Sequence, residues 1–413
     1  MYYCSNTPNT VIHSKLKGQY IAMKILITTD WYLPAVNGVV ASVVNLRREL
    51  NALGHDVRVL TLSSSVRSFC DGGVTYIGSA GAGKIYPGAR FRTAPAERLI
   101  RDIVEWGPDV VHSQCEFSTF FIARKIASEL DVPLIHTYHT VYENYTHYFS
   151  PSVKWGRRGV ALLSRLMANR TDCVVAPTEK VRTLLISYGV TCPVCVIPTG
   201  LDLARFHGGS PERSAELKQK LGIPAGDTVL LSVGRIANEK NISELLRGLA
   251  ALKDSSVTLL LVGDGPSRTE IEALARKLGV EKKTVFTGMI PPSEIADYYG
   301  LGDLFVSAST SETQGLTYIE ALASGTPALC RKDDCLAGVV ENGKNGWQYN
   351  SIDDFTERAK WFAANRGERA KMSEAAELSS EKFSSELFAK RIAALYRDEI
   401  DAHGRRGSGG AAA

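Results

Sequence analysis

No apolar stretch in this 413-residue chain approaches the ~20 residues that a membrane-spanning helix needs. The first 22 residues are mostly polar and lack the apolar centre of a secretion signal, so the chain is expected to stay in the cytoplasm. Cysteine is sparse: eight residues are scattered along the chain, and one close pair, Cys192-Pro-Val-Cys195, has no second such pair or histidine pair to complete a zinc site. Reduced thiols are therefore expected, and no metal. A net charge of +4 is too mild for nucleic-acid binding. There is no Ser/His/Asp or Cys/His nucleophile arrangement, no Asp-x-Asp to hold a metal-bound diphosphate, and no Gly-x-Gly-x-x-Gly fingerprint. The segment 78–83 is glycine-rich, but no helix start follows it, and it reads as a surface loop. Any phosphate must then be met by cations and backbone amides alone.

What is present is regular alternation. Strand-like apolar runs at 24–28, 56–62, 109–113, 134–138, 173–176 and 194–197, with helical segments between them, are followed by a second set at 229–233, 257–262, 285–288, 303–308 and 327–330. The pattern predicts an α/β protein of two Rossmann-like, doubly wound parallel-sheet domains facing a cleft. The turn-rich segment 198–202 marks the hinge, which gives domains at 23–202 and 203–383, with 1–22 as an extension outside the fold and 404–413 as a linker or tail. In 384–400, Phe388, Ile392, Leu395, Tyr396 and Ile400 recur at helical spacing and suit either domain. Positive charge is in excess within residues 23–200 and slightly in deficit beyond them, as an anionic membrane surface or a phosphate-bearing partner would require.

The richest stretch runs from Glu312 to Glu320. It follows the strand at 303–308, and Leu316, Ile319, Leu322 and Ala323 place a helix start near Gly315. The first-turn amides of Gln314, Gly315 and Leu316 suit an anion or an oxygen-rich ligand, framed by the two carboxylates. In Ser232-Val-Gly-Arg-Ile-Ala-Asn-Glu-Lys240, Arg235 and Lys240 lie beyond a strand's carboxyl end, where open α/β sheets bind ligands; they are phosphate contacts or solvated surface cations. In Trp31-Tyr-Leu-Pro-Ala-Val-Asn-Gly-Val-Val40, Gly38 and Val39 either offer amides to a diphosphate or merely shape a tight turn. Ile290, beyond another strand, is placed to meet a base edge with its backbone. Within His136-Thr-Tyr-His139-Thr140 the two histidines point to opposite faces, which argues against a shared metal and puts His139 in the cleft. Tyr142, Tyr145, Tyr148 and Phe149 follow as an aromatic run. Residues 154–170 mix Lys and Arg with Trp155, Leu162, Leu163, Leu166 and Met167, as an interfacial helix or an amphipathic core helix would. Tyr86, Arg90, Phe91 and Arg92 form a second basic and aromatic cluster.

In this order the motifs resemble the retaining glycosyltransferases of family 4, whose two-domain fold is called GT-B. The likeness rests on Asn37-Gly-Val-Val40, His136-Thr-Tyr-His139-Thr140, Gly234-Arg235 with Lys240, and Glu312 to Glu320 as the family's Glu-x7-Glu motif. Ala176-Pro-Thr-Glu-Lys180 and the stretch from Ser311 to Tyr318 look like the branch of bacterial diacylglycerol glucosyltransferases. The resemblance implies that Gly38 meets the donor's distal phosphate and that Arg235 and Lys240 neutralise the diphosphate leaving group in place of a metal. It also implies that Glu320 binds the ribose, that Glu312 with the amides of 314–316 contacts the sugar and phosphate, and that His139 stabilises charge developing on the sugar. The implied reaction moves a hexose, glucose from UDP-glucose, onto a lipid such as 1,2-diacylglycerol with retention. No cofactor is required, and the implied setting is the cytoplasmic face of the cell membrane, with 384–400 packed back on the first domain. A different acceptor, soluble or lipid, and a nucleotide-sugar epimerase are the competing expectations.

Overall fold

The computed structural model describes residues 22–409 apart from 36, 82–89, 94–95, 142, 144–151, 208–209 and 253–254. The first half contributes strands β1 (Lys24–Thr29), β2 (Asp56–Leu62), β3 (Phe69–Asp71), β4 (Val74–Ile77), β5 (Ser79–Gly81), β6 (Arg90–Arg92), β7 (Val110–Ser113), β8 (Leu134–Thr137), β9 (Cys173–Ala176) and β10 (Val194–Val196). The second half contributes β11 (Thr228–Val233), β12 (Val257–Val262), β13 (Thr284–Phe286), β14 (Leu304–Ser307), β15 (Ala328–Arg331) and β16 (Gly346–Tyr349). Among the described residues, the first sheet has the order β10-β9-β8-β7-β1-β2-β4-β3 and the second β13-β12-β11-β14-β15-β16. Every pairing in them is parallel except β3 with β4. The central strands are buried almost throughout, as in Val257–Val262, because helices cover both faces of each sheet.

Both sheets reverse their strand order at a central strand: β1 lies between β2 and β7, and β11 lies between β12 and β14. Such switch points open a crevice at the carboxyl ends of the strands. The loops that leave β1, β7, β11 and β14 therefore set the site.

The short strands β3, β4, β5, β6 and β16 lie outside the sequence expectation. Segment 78–83 is not simply a surface loop. Its described part, Ser79–Gly81, pairs antiparallel with Arg90–Arg92, and Arg90 Nε donates to the Ser63 carbonyl at 2.9 Å and to Ser79 Oγ at 2.7 Å. Arg90 is thus spent on holding the hairpin. Tyr86 and the run from Tyr142 to Phe149 lie outside the described residues.

The helix Ser385–Gly409 packs on the first sheet, where Phe388, Ile392 and Tyr396 share a core with Ile25, Ile27, Val43 and Leu46. It continues to Gly409, into the segment 404–413 that composition alone reads as a linker. Buried His112 bridges this helix to the sheet: Nδ1 meets the Tyr396 hydroxyl at 2.6 Å and Nε2 meets Thr137 Oγ1 at 2.7 Å. At the crossing, a Cβ on Gly200 would lie 2.5 Å from Phe388 Cβ and 2.7 Å from the Ser384 carbonyl, so only glycine fits. No helix among the described residues is long and apolar enough to cross a membrane.

Candidate active site

The second-lobe half of the site grows from two strand ends. After β11, Gly234 and Arg235 turn the chain, and a short 3-10 turn, Asn238–Lys240, delivers Lys240. After β14, residues 308–315 form a loop that ends at the helix Leu316–Ala323. That helix begins at Gly315 in the left-handed region, φ 74°, with no side chain capping it, so its first-turn amides stay open to a ligand. A Cβ on Gly315 would fall 2.3 Å from the Tyr318 ring. Gly234, Arg235, Lys240, Ser307, Glu312 and Thr317 line one pocket, in which Lys240 Nζ pairs with Glu312 Oε1 at 2.5 Å. Glu320, just over one turn into that helix, has a different partner. Its Oε2 accepts the Tyr299 hydroxyl at 2.6 Å, and burial raises its carboxyl above the usual range against the pull of that hydroxyl and Arg205. The two glutamates thus occupy different surroundings.

The first lobe presents the starts and ends of its own elements. The helix Gly38–Ala52 is capped by Asn37, whose Oδ1 accepts from Val40 N at 2.9 Å, leaving Gly38 and Val39 as its first amides. A Cβ on Gly38 would touch Leu316 Cδ1 at 3.5 Å, so the two helix starts face each other across the cleft. His139 follows β8, and its Nε2 bonds Gln114 Oε1 at 2.7 Å. Burial, with a smaller push from His136, lowers its pKa to about 3, so its ring is neutral at ordinary pH. His136 lies in the core, Nε2 3.3 Å from Glu116 Oε1 and edge-on to Phe120.

Of the residues singled out in the sequence, Arg235, Lys240 and Glu312 meet in one pocket, with Gly38 beside the helix start at Leu316. Ile290 is half-buried against the second-lobe core. The Gln314 side chain turns to Thr199, where Oε1 accepts from Thr199 N at 2.8 Å and Nε2 donates to the Thr199 carbonyl at 3.0 Å. Sequence reasoning missed Gln114, which seats His139, and Tyr299, which seats Glu320; neither belongs to a local pattern. It also missed the partner of Lys180, Asp333, 153 residues away. Among the described residues, no group of three or more His, Cys, Asp or Glu side chains is placed to hold a metal ion.

Comparison with known proteins gives the same architecture. Residues 36–205 match the model of Glycosyltransferase Family 4, and residues 213–379 match that of Glycosyl transferases group 1. The chain is 36% identical over 386 residues to the alpha-monoglucosyldiacylglycerol synthase of Streptococcus pneumoniae, covering 92% of this chain and 86% of that one. It is 32% identical over 397 residues to the alpha-monoglucosyldiacylglycerol synthase of Acholeplasma laidlawii, covering 93% and 99%. Among solved structures, HepE of Anabaena in complex with UDP and glucose superposes with a TM-score of 0.71 at 20% identity, over 91% of this chain and all of that one. With matched family models spanning both lobes and relatives above 30% identity over nearly the whole chain, the protein belongs to glycosyltransferase family 4.

Proposed function

We propose that the protein is a retaining, metal-independent glucosyltransferase that moves glucose from UDP-glucose onto 1,2-diacylglycerol at the cytoplasmic face of the cell membrane. The observation that carries this reading is the convergence of Arg235, Lys240 and Glu312 on one pocket at the switch point of the second sheet. A departing diphosphate needs fixed positive charge where its own charge develops, and two cations supply it without a metal. In the free enzyme Lys240 is neutralised by Glu312. An arriving phosphate takes Lys240 and releases Glu312 to the sugar hydroxyls. The open amides at Gln314, Gly315 and Leu316, with those of Gly38 and Val39 opposite, complete the anion site. Glu320 holds the ribose, the Ile290 backbone meets the base, and neutral His139 stabilises charge on the sugar from the acceptor lobe.

The lipid acceptor is supported by the names of the two relatives and by the first-lobe surface. On the helix Val153–Ala168, Trp155 is 68% exposed and Leu162, Leu163 and Leu166 are 40–49% exposed, interleaved with Lys154, Arg157, Arg158 and Arg165. An apolar and basic outer face of this kind suits the headgroup boundary of an anionic bilayer. Incubation with labelled UDP-glucose and diacylglycerol-bearing vesicles, with chelator present, is expected to yield an α-linked glucolipid. UDP-glucose consumed without lipid product would point to a soluble acceptor or an epimerase instead.

A further inference from the structure

The donor loop 308–315 is tied to the first lobe by contacts that the transfer chemistry leaves unused. Lys180, in the helix Glu179–Ser187 after β9, sets its ammonium among four oxygen atoms of the second lobe. Asp333 Oδ1 and Oδ2 both lie 2.7 Å away, and the carbonyls of Thr310 and Glu312 both lie 3.1 Å away. The Asp333 side chain is 6% exposed and is held in place as Oδ1 accepts from Cys335 N at 2.8 Å. Beside it, Thr178 Oγ1 donates to the Thr313 carbonyl at 2.8 Å, and Thr313 Oγ1 donates to the His139 carbonyl at 2.9 Å. The carbonyls of residues 310, 312 and 313 are therefore all held by the first lobe. An ammonium has three protons and can serve a carboxylate and two carbonyls from one point.

We propose that Lys180 is a positioning residue for sugar transfer: it clasps the donor-loop backbone against the acceptor lobe, so that Glu312 and the loop amides reach working geometry only with the lobes closed. The proposal rests on the transferase reading above. Its physical basis is the rigid peptide plane. Holding the Glu312 carbonyl fixes the plane that leaves the same Cα as the carboxylate side chain. The Thr313–His139 bond then ties the second-lobe loop to the segment that carries the first-lobe histidine. Misplacement of such groups by about 1 Å can cost about 100-fold in rate.

Two variants of the full chain separate positioning from bracing. Lys180→Arg keeps the charge facing Asp333, but a planar fork cannot serve three acceptors from one point. Lys180→Met with Asp333→Leu removes both charges together and leaves no buried carboxylate unpaired. For both, the expected result is a Tm near that of the parent, a UDP-glucose KM within about threefold and a kcat lower by about 10- to 100-fold. Small-angle scattering with saturating UDP should give a larger radius of gyration for the double variant than for the parent. Parental kcat in either folded variant overturns the proposal. So does a loss of kcat that merely follows a loss of Tm while the scattering stays parental. Should the double variant fail to fold, kcat and KM of Lys180→Arg decide the matter. Should the parent transfer nothing to lipid, the transferase reading falls, and the scattering comparison still decides whether the clasp closes the lobes.

Discussion

Lys240 and Glu312 pair at 2.5 Å, so each neutralises the other until a ligand displaces one of them. On the proposed function, Lys240→Ala removes a cation that faces the diphosphate and strands Glu312, while Glu312→Gln keeps the shape and loses the charge; both should lower kcat by more than about tenfold in a transfer assay. His139 makes a separate prediction. Its folded pKa, about 3, lies below the ordinary 6.5. Below pH 6.5 the unfolded chain takes up this proton first, so stability falls as pH drops towards 3. Denaturant unfolding of His139→Asn should therefore lose up to about 1.4 kcal/mol per pH unit of that dependence between pH 4 and 6. Asp30, raised to about 6 by burial, acts with the opposite sign, since the folded state holds its proton longer. Comparison with the parent removes its contribution. Residue types at strand ends made Arg235, Lys240 and Glu312 readable. Gln114 and Asp333 were not readable, because their roles arise from contacts across the fold.

Among the elements, the helix Val153–Ala168 is where sequence left two readings standing. Its buried residues, Gly156, Val160, Ser164, Met167 and Ala168, form a stripe, and Trp155, Leu162, Leu163 and Leu166 stand outside it. A core helix would bury those side chains. Replacing Trp155 and Leu166 with Ser should weaken flotation with anionic vesicles at low salt while leaving thermal unfolding nearly unchanged; undiminished flotation would assign membrane binding to another surface. The helix Ser385–Gly409 gives a test of packing. Tyr396→Phe deprives buried His112 Nδ1 of its partner and should cost about 1–3 kcal/mol in denaturant unfolding. The long buried strands were legible because continuous apolar runs leave little choice of structure. The hairpin of β3 and β4 was not, since Phe69–Asp71 is exposed throughout and is held by stacking of Phe69 on Tyr76 at 4.6 Å.

For the whole molecule, alternating strands and helices were enough to indicate two doubly wound sheets, because a right-handed crossover between parallel strands has few solutions. Which faces meet across the cleft was not written in any local pattern. It follows from pairs such as Thr199 with Gln314, 115 residues apart, and Lys180 with Asp333. The second lobe brings cations and open amides to the cleft and the first lobe a neutral histidine and the helix start at Gly38; the first lobe also carries a helix rich in exposed apolar and basic side chains. The central claim is transfer to lipid, and its most direct test is incubation of the full chain with UDP-glucose labelled in the sugar and vesicles containing diacylglycerol and an anionic lipid, in chelator. Labelled α-glucosyldiacylglycerol is expected, formed more than about tenfold more slowly by Lys240→Ala and in lower yield as salt rises; label that never enters the lipid fraction, while the sugar nucleotide is consumed or left intact, would rule out transfer to lipid.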